Sequence, residues 1–123
     1  MSTIDYMKSL KDNDISALVQ YVKTHDVNEE VQGQSLLYWA VFYNSLDFSK
    51  KLIEMGADVN HKDSLGRSLL SISCFFGFVD LTRSLLKNGA VIDITCVERA
   101  SYGLDGNIQT DILKLLREYE SNK

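Results

Sequence analysis

Residues that could carry out chemistry are few in this sequence, and they are far apart. The histidines His25 and His61 have no cysteine or carboxylate nearby at the spacing that metal ligands take. Both fall where turns are expected, and we interpret them as exposed turn residues. The adjacent carboxylates Glu29 and Glu30 could act as an acid and base pair only beside an apolar pocket that raises a pKa, and the sequence around them indicates none.

Catalytic motifs are also missing from the sequence. It contains no G-x-S-x-G elbow, no H-E-x-x-H pair and no Walker-type phosphate loop. The segment Gly103-Leu-Asp-Gly106 lacks the lysine and the preceding strand that phosphate binding requires, so its glycines indicate a loop. The sequence therefore predicts no catalytic, cofactor-binding or metal site, and a protein that is not an enzyme.

The cysteines Cys74 and Cys96 are the remaining reactive side chains. Cys74 occupies a small-residue position inside a predicted helix, and Cys96 begins the last predicted repeat. We expect two buried free thiols, not a disulfide.

The elements that position these side chains follow from an internal repeat. Residues Gly33–Asn60 and Gly66–Asp93 align without a gap at an offset of 33 residues, and the run Gly-x-Ser-Leu-Leu opens both segments. Such a period is typical of a solenoid, in which each unit buries its apolar face against its neighbours.

Each repeat has the pattern of two short helices. Ser35 and Ser68 precede apolar runs, where a hydroxyl can cap the first turn of a helix. Asn44 and Gly77 then interrupt the helical pattern. The glycines that end each repeat as left-handed caps are Gly56 and Gly89.

These residues resemble the ankyrin repeat. The second Leu of each Ser-Leu-Leu, Ala40, Gly77 and the run Gly56–Asn60 match that family's pattern, whereas Leu36 and Leu69 replace its proline. The resemblance implies an all-α solenoid of about four stacked helix-turn-helix units joined by hairpin-like fingers. It implies one domain over 1–123, with these segments: an N-terminal cap repeat 1–29, repeats 30–62 and 63–95, and a C-terminal cap repeat 96–123.

The terminal repeats diverge from the pattern, as expected of units that face solvent. An amphipathic helix of roughly Thr110 to Glu120 would close the stack, after a longer loop at Leu104–Asn107. In the first complete repeat, Trp39 lies at a position that often packs between repeats, and we expect it in the core.

The resemblance implies a binding surface on the concave face of the solenoid. The family commonly has variable polar residues at the end of the first helix, but this chain has aromatic residues there, namely Phe42, Tyr43, Phe75, Phe76 and, by alignment through Ala100, Tyr102. Equivalent rings of stacked repeats would form a ridge that contacts a partner. For Phe42 and Phe75, packing into the core is an equal alternative, whereas contact is favoured for Tyr43 and Phe76.

The finger tips form the other part of the binding surface that the resemblance implies. By position, they are Val31, Gln32, Gln34, Lys62, Ser64, Leu65 and Arg67. Val31 and Leu65 are apolar where a turn favours polar residues, so they either touch a partner or cover the adjoining finger.

Charge and hydropathy exclude other kinds of partner. The net charge of −4, with scattered basic residues, argues against nucleic acid, and a partner with a basic surface is a further hypothesis. No apolar run approaches the roughly 20 residues that cross a bilayer, and the chain's start lacks the pattern of a secretion signal. We therefore expect a cytoplasmic protein that is monomeric when unbound.

Three functions remain open at this stage. The first is a module that binds a folded protein partner through its concave face and fingers. An alternative is an inhibitor, such as an immunity protein that caps the active site of a toxin or enzyme. Another is a structural solenoid that associates with itself.

Overall fold

The computed structural model describes residues 5–103, 106 and 108–121, and within them the backbone is mostly helical. The helices are α1 Tyr6–Lys11, α2 Ile15–Thr24, α3 Leu36–Phe42, α4 Leu46–Glu54, α5 Leu69–Phe76, α6 Val79–Lys87, α7 Ile94–Ser101 and α8 Thr110–Ser121. The strands β1 Glu30–Val31 and β2 Gln34–Ser35 form one small antiparallel sheet.

Side-chain caps start the helices where the sequence predicted them. The Ser35 hydroxyl accepts a hydrogen bond from the Tyr38 amide, and the Ser68 hydroxyl accepts one from the Ser71 amide, both at 3.1 Å. Each bond satisfies an amide that has no partner within its own helix. The predicted starts of α3 and α5 are therefore confirmed.

Left-handed residues end the helices, as predicted. Gly77 has φ 75° at the end of α5, and Asn44 has φ 56° just after α3. Gly56 and Gly89, with φ 101° and 92°, follow α4 and α6. A residue without a side chain adopts this region at little cost, and the chain can then turn into the next segment.

The chain forms two compact units, of which the first is Met1–Asp58. Here α1 packs on α2, α3 on α4 and α2 on α4, around the fully buried side chains of Leu18, Leu37, Phe48 and Leu52. The Tyr6 hydroxyl donates to the Leu36 carbonyl oxygen at 2.6 Å, which ties the first helix to the start of the third.

The second unit is Val59–Lys123. α5 packs against both α6 and α7, and α8 packs on α6 and α7, around the buried side chains of Leu70, Leu81, Leu85 and Ile112. Within this core the hydroxyls of Ser73 and Thr82 lie 2.8 Å apart and share a hydrogen bond. The Ser73 hydroxyl also lies 2.9 Å from the Leu70 carbonyl oxygen, and the Thr82 hydroxyl lies 2.8 Å from the Phe78 carbonyl oxygen. One hydroxyl donates to the other, which in turn donates to its carbonyl, so both buried hydroxyls are hydrogen-bonded.

The C-terminal segment agrees with the prediction where the structure describes it. α8 begins at Thr110, as predicted, and ends one residue later than expected. In the predicted loop, Leu104, Asp105 and Asn107 lie outside the described residues, and the Gly106 amide donates to the Gly103 carbonyl oxygen at 2.9 Å. None of the described helices combines the length and hydropathy needed to span a bilayer.

Candidate functional site

The first finger is a two-residue hairpin. Glu30 pairs with Ser35 and Val31 with Gln34, and the turn residues Gln32 and Gly33 both have positive φ, at 52° and 85°. Two positive φ values are the signature of a tight turn whose twist matches that of the strands. Gln32 is therefore held at the exposed tip, while Val31 and Gln34 are half-buried.

The second finger is organised by one buried carboxylate. The side chain of Asp63 is only 1% exposed, and it accepts from the Leu65 amide at 3.0 Å, the Arg67 amide at 2.9 Å and the Arg67 Nε at 2.7 Å. Burial raises the pKa of Asp63, but these hydrogen bonds and the guanidinium outweigh that effect and hold the pKa below its ordinary value.

The bonds to Asp63 fix the positions of the neighbouring tip residues. Leu65 is 76% exposed, and Ser64 and Lys62 are also exposed. Arg67, predicted as a tip residue, is oriented toward Asp63 by the shortest of the three bonds. The finger thus presents an apolar side chain to solvent from a rigid turn.

In the first unit, the two aromatic residues at the end of α3 face solvent. Phe42 is 38% exposed and Tyr43 is 59% exposed. The Tyr43 ring stacks on Trp39 with centroids 6.2 Å apart and meets the Phe42 ring edge-on at 5.4 Å. The rings of Trp39, Phe42 and Tyr43 form a connected cluster in which Phe42 and Tyr43 are exposed, and we call it the α3 aromatic cluster.

The expectation for Trp39 needs correction. Its side chain is half-buried, and its Nε1 donates to the Val31 carbonyl oxygen at 2.7 Å. A buried indole needs a partner for its N–H, and here the finger backbone provides one. Trp39 therefore joins the first finger to the α3 aromatic cluster instead of filling the core.

In the second unit, the corresponding aromatic residues are less exposed. Phe75 and Phe76 are both half-buried. Phe76 stacks on Phe78 with centroids 5.3 Å apart, and the Arg99 guanidinium lies 5.6 Å from the centre of the Phe75 ring. The partner contact predicted for Phe76 stays a prediction. Because Phe78 already covers one side of the Phe76 ring, a partner would contact only the remaining exposed part. Tyr102, at the end of α7, is 76% exposed.

Sequence reasoning missed a groove in the first unit. Its volume is about 760 Å³, and it is lined by Asp5, Met7, Lys8, Leu10, Lys11, Tyr43 and Ser45. These residues belong to α1 and to the segment between α3 and α4, so only tertiary folding brings them together. The signal available in the sequence was the pair Lys8 and Lys11, three residues apart on one helix face.

The histidines are not the exposed turn residues that the sequence predicted. His25 and His61 are both half-buried. The His25 ring stacks on Tyr21 with centroids 4.0 Å apart, and its Nδ1 lies 3.9 Å from a Glu29 carboxylate oxygen. The Tyr21 hydroxyl donates to Glu29, and burial together with this bond raises the pKa of Tyr21 to about 12.

The cysteines are free and buried, as predicted. Hydrogen bonding between the Cys74 and Cys96 side chains, together with burial, raises the pKa of Cys74. The same bond lowers the pKa of Cys96, whose sulfur is 3.5 Å from the Asp93 carboxylate. Over the described ranges, no group of three or more histidine, cysteine or acidic side chains could hold a metal ion.

Short helix pairs that end in left-handed caps and are joined by fingers define a class of all-α repeat protein. The sequence profile described as Ankyrin repeats (3 copies) matches residues 6–97, which is more than half of the chain. The chain therefore belongs to the ankyrin-repeat family, and the resemblance and fold class predicted from sequence are confirmed. Repeats of this family generally bind other proteins and are typically non-catalytic.

A solved structure shows the same fold. The crystal structure of EF0377, an ankyrin repeat protein, matches with a TM-score of 0.69 and 24% sequence identity, over 96% of this chain and 63% of that chain. The chain thus spans less than two thirds of the length of this neighbour. Among curated proteins, none matches the chain significantly.

Proposed function

We propose that this chain is a non-catalytic module that binds a folded protein partner through the ends of its first helices and through its fingers. The observation that carries the proposal is the α3 aromatic cluster, in which Tyr43 is 59% exposed on a rigid helix end. Exposed, connected rings bury a large area on contact and lose little rotamer freedom, so they are common centres of binding energy.

The fingers support the same proposal. Leu65 is an exposed apolar side chain on a turn that Asp63 holds in place, and Gln32 stands at the tip of a tight hairpin. Ordered loops lose little entropy on binding, so they suit recognition better than mobile loops do. The predicted contact residues at the tips therefore stay in the proposal.

Two acidic side chains of the fingers give little support to the hypothesis of a partner with a basic surface. Asp63 is buried against Arg67, and Glu29 accepts from the Tyr21 hydroxyl, so neither carboxylate is directed toward a partner. The net charge of −4 still favours association with a basic protein at long range. This charge and the small size are also what supports the inhibitor alternative.

Affinity purification tests the proposed function. Tagged protein retains its partner from an extract of the native cell, and Tyr43→Ala reduces the retained amount about tenfold or more, as expected for a central contact residue. Lys50→Ala is the control because Lys50 is exposed on α4, outside the proposed surface. If the wild type retains no protein above background, or if both variants retain as much as the wild type, the proposal is wrong.

A further inference from the structure

We propose that the groove in the first unit binds a short extended segment of the partner that carries two acidic side chains two residues apart. This inference rests on the proposed function and names the chemistry of the segment that is bound. The groove has a volume of about 760 Å³ and is lined by α1 on one side and by Tyr43 and Ser45 on the other.

Two positively charged side chains line the groove. Lys8 and Lys11 line the groove, both are exposed, and neither ammonium group has an ion pair or a side-chain hydrogen bond within the part of the chain that the structure describes. The carboxylate of Asp5 also lines the groove, but it caps α1 by accepting from the Lys8 amide at 3.3 Å. Two unpaired cations with one engaged anion favour an acidic ligand.

The spacing of the two lysines matches that of alternate side chains in an extended peptide. Lys8 and Lys11 are three residues apart on α1, so their Cβ atoms are about 5–6 Å apart on one helix face. In an extended peptide, side chains two residues apart lie on the same face, roughly 6.5 Å from each other. Two carboxylates in that arrangement can meet both ammonium groups at once.

The lining of the groove also has an apolar part. Met7 and Leu10 lie on α1, and the Tyr43 side chain is 59% exposed, with no hydrogen bond to its hydroxyl among the described residues. Successive side chains of an extended peptide point in opposite directions. The residue between the two acids therefore points away from α1, toward the wall that contains Tyr43.

An open groove suits a peptide segment better than a small molecule. Sites for small molecules cover most of the ligand surface, and they do so in enclosed pockets. Here three of the lining side chains, Lys8, Lys11 and Tyr43, are themselves exposed, so one side of the ligand stays in solvent. A segment that belongs to a larger protein needs no such enclosure, because the rest of the partner supplies further contacts.

The test is an NMR titration of the full chain with two capped peptides, Ser-Glu-Leu-Glu-Ser and Ser-Gln-Leu-Gln-Ser. We expect the Glu peptide to shift the amide signals of Lys8, Lys11 and Tyr43, and to bind at least about fivefold more tightly than the Gln peptide, since exposed ion pairs are individually weak. Raising the NaCl concentration should weaken binding of the Glu peptide only, because salt screens exposed charges.

Two double variants provide the matched comparison. Lys8→Gln/Lys11→Gln should bind the Glu peptide as weakly as the wild type binds the Gln peptide, whereas Lys23→Gln/Lys50→Gln removes the same charge outside the groove and should bind like the wild type. All four lysine side chains are exposed, so each variant should keep its fold, and an unchanged melting temperature checks this.

Equal affinity for the two peptides, shifts outside the groove, or no binding would overturn the inference. Concentration-dependent dimerisation that disappears in Lys8→Gln/Lys11→Gln would also overturn it, in favour of a second copy of the chain. If Tyr43→Ala loses the native partner but Lys8→Gln/Lys11→Gln retains it, the proposed function stands and this inference is wrong. If the wild type retains no partner at all, the proposed function itself is wrong.

Discussion

At the scale of single residues, Asp63 has an unusual position for an acid in a surface finger. Its buried carboxylate accepts three hydrogen bonds, two of them from backbone amides that a turn would otherwise leave to solvent. Hydrogen bonds to a charged group contribute about 1.5–3 kcal/mol each at most, and an unpaired buried group costs a similar amount. The finger geometry therefore depends on the ionised form of this side chain.

We expect Asp63→Asn to lower the free energy of unfolding by about 1.5–3 kcal/mol at pH 7. The pKa of Asp63 is lower in the folded chain than its ordinary value of 3.8, so its contribution is complete above that value and is lost as the pH falls through the lower, folded value. The difference between wild type and variant should therefore shrink between pH 5 and about pH 2. Urea unfolding at several pH values measures it.

Asp80→Asn is the control for that experiment. Asp80 is exposed and forms its ion pair with Arg83 on the surface of α6, so its replacement should change stability by less than about 0.5 kcal/mol. If the difference in free energy of unfolding between the Asp63 variant and the wild type stays constant from pH 7 to pH 2, the ionised carboxylate of Asp63 does not stabilise the fold as expected.

The structure separates two aromatic residues that the sequence treated alike. Tyr43→Ala should change the free energy of unfolding by no more than about 0.5 kcal/mol, because the ring is mostly exposed. Phe76→Ala should cost about 2 kcal/mol, because that ring is half-buried and stacks on Phe78. Thermal unfolding distinguishes them, and equal losses would mean that Tyr43 also packs into the core.

Some residue roles could not be predicted, because they depend on contacts across the fold. Trp39 lies at a position typical of the core, but its indole N–H bonds to the finger carbonyl of Val31. His25 follows α2 where a turn was expected, yet its ring stacks on Tyr21. Helical periodicity predicts which face of a helix is buried, but it carries no information about these pairings.

At the scale of elements, equivalent positions of the two central repeats use different residues for the same backbone geometry. Asn44 and Gly77 both end the first helix of their repeat with positive φ. Asn tolerates this region because its short polar side chain can bond locally, whereas other residues with a Cβ are strained there. Substitutions at the two positions should therefore change the free energy of unfolding by different amounts.

Gly77→Ala should destabilise the chain by about 1–2 kcal/mol, because alanine is strained at φ 75°. The new Cβ would also lie 2.8 Å from the Gln109 side-chain oxygen, although that flexible side chain can move. Asn44→Gly is the matched change in the opposite direction and should be close to neutral, since both residues adopt φ 56° at little cost. Chemical denaturation of both variants checks the pair, and a stable Gly77→Ala would show that the cap relaxes.

The helix ends were the most predictable part of the fold. Ser35, Ser68, Gly56 and Gly89 act through local backbone geometry, which the sequence specifies within a few residues. The groove beside α1 was not predictable, because its two sides are about thirty residues apart along the chain. A helix pattern places Lys8 and Lys11 on one face, but it does not say which other helix end lies opposite them.

At the scale of the whole molecule, the main question is whether the exposed aromatic residues cause self-association. The net charge of −4 opposes association between copies, and the exposed rings of the α3 aromatic cluster favour it. We expect repulsion to prevail in the free protein. The partner surface is then available without prior dissociation of a dimer.

Light scattering coupled to size exclusion should give the mass of one chain over a wide range of loading concentrations and at low ionic strength. Salt weakens charge repulsion, so any dimer should appear first at high ionic strength. A mass that rises with concentration at low salt, and returns to the single-chain value in Tyr43→Ala, would favour the self-associating alternative instead.

The position of Trp39 also makes it an intrinsic fluorescence reporter of ligand binding. It is the single tryptophan of the chain, it is bonded to the first finger, and it lies beneath the Tyr43 ring. A ligand that covers Tyr43, or one that moves the finger, alters the polarity around the indole, so the intrinsic fluorescence should shift on complex formation without any attached dye. Such an optical signal would allow candidate ligands to be screened in solution at micromolar protein concentrations.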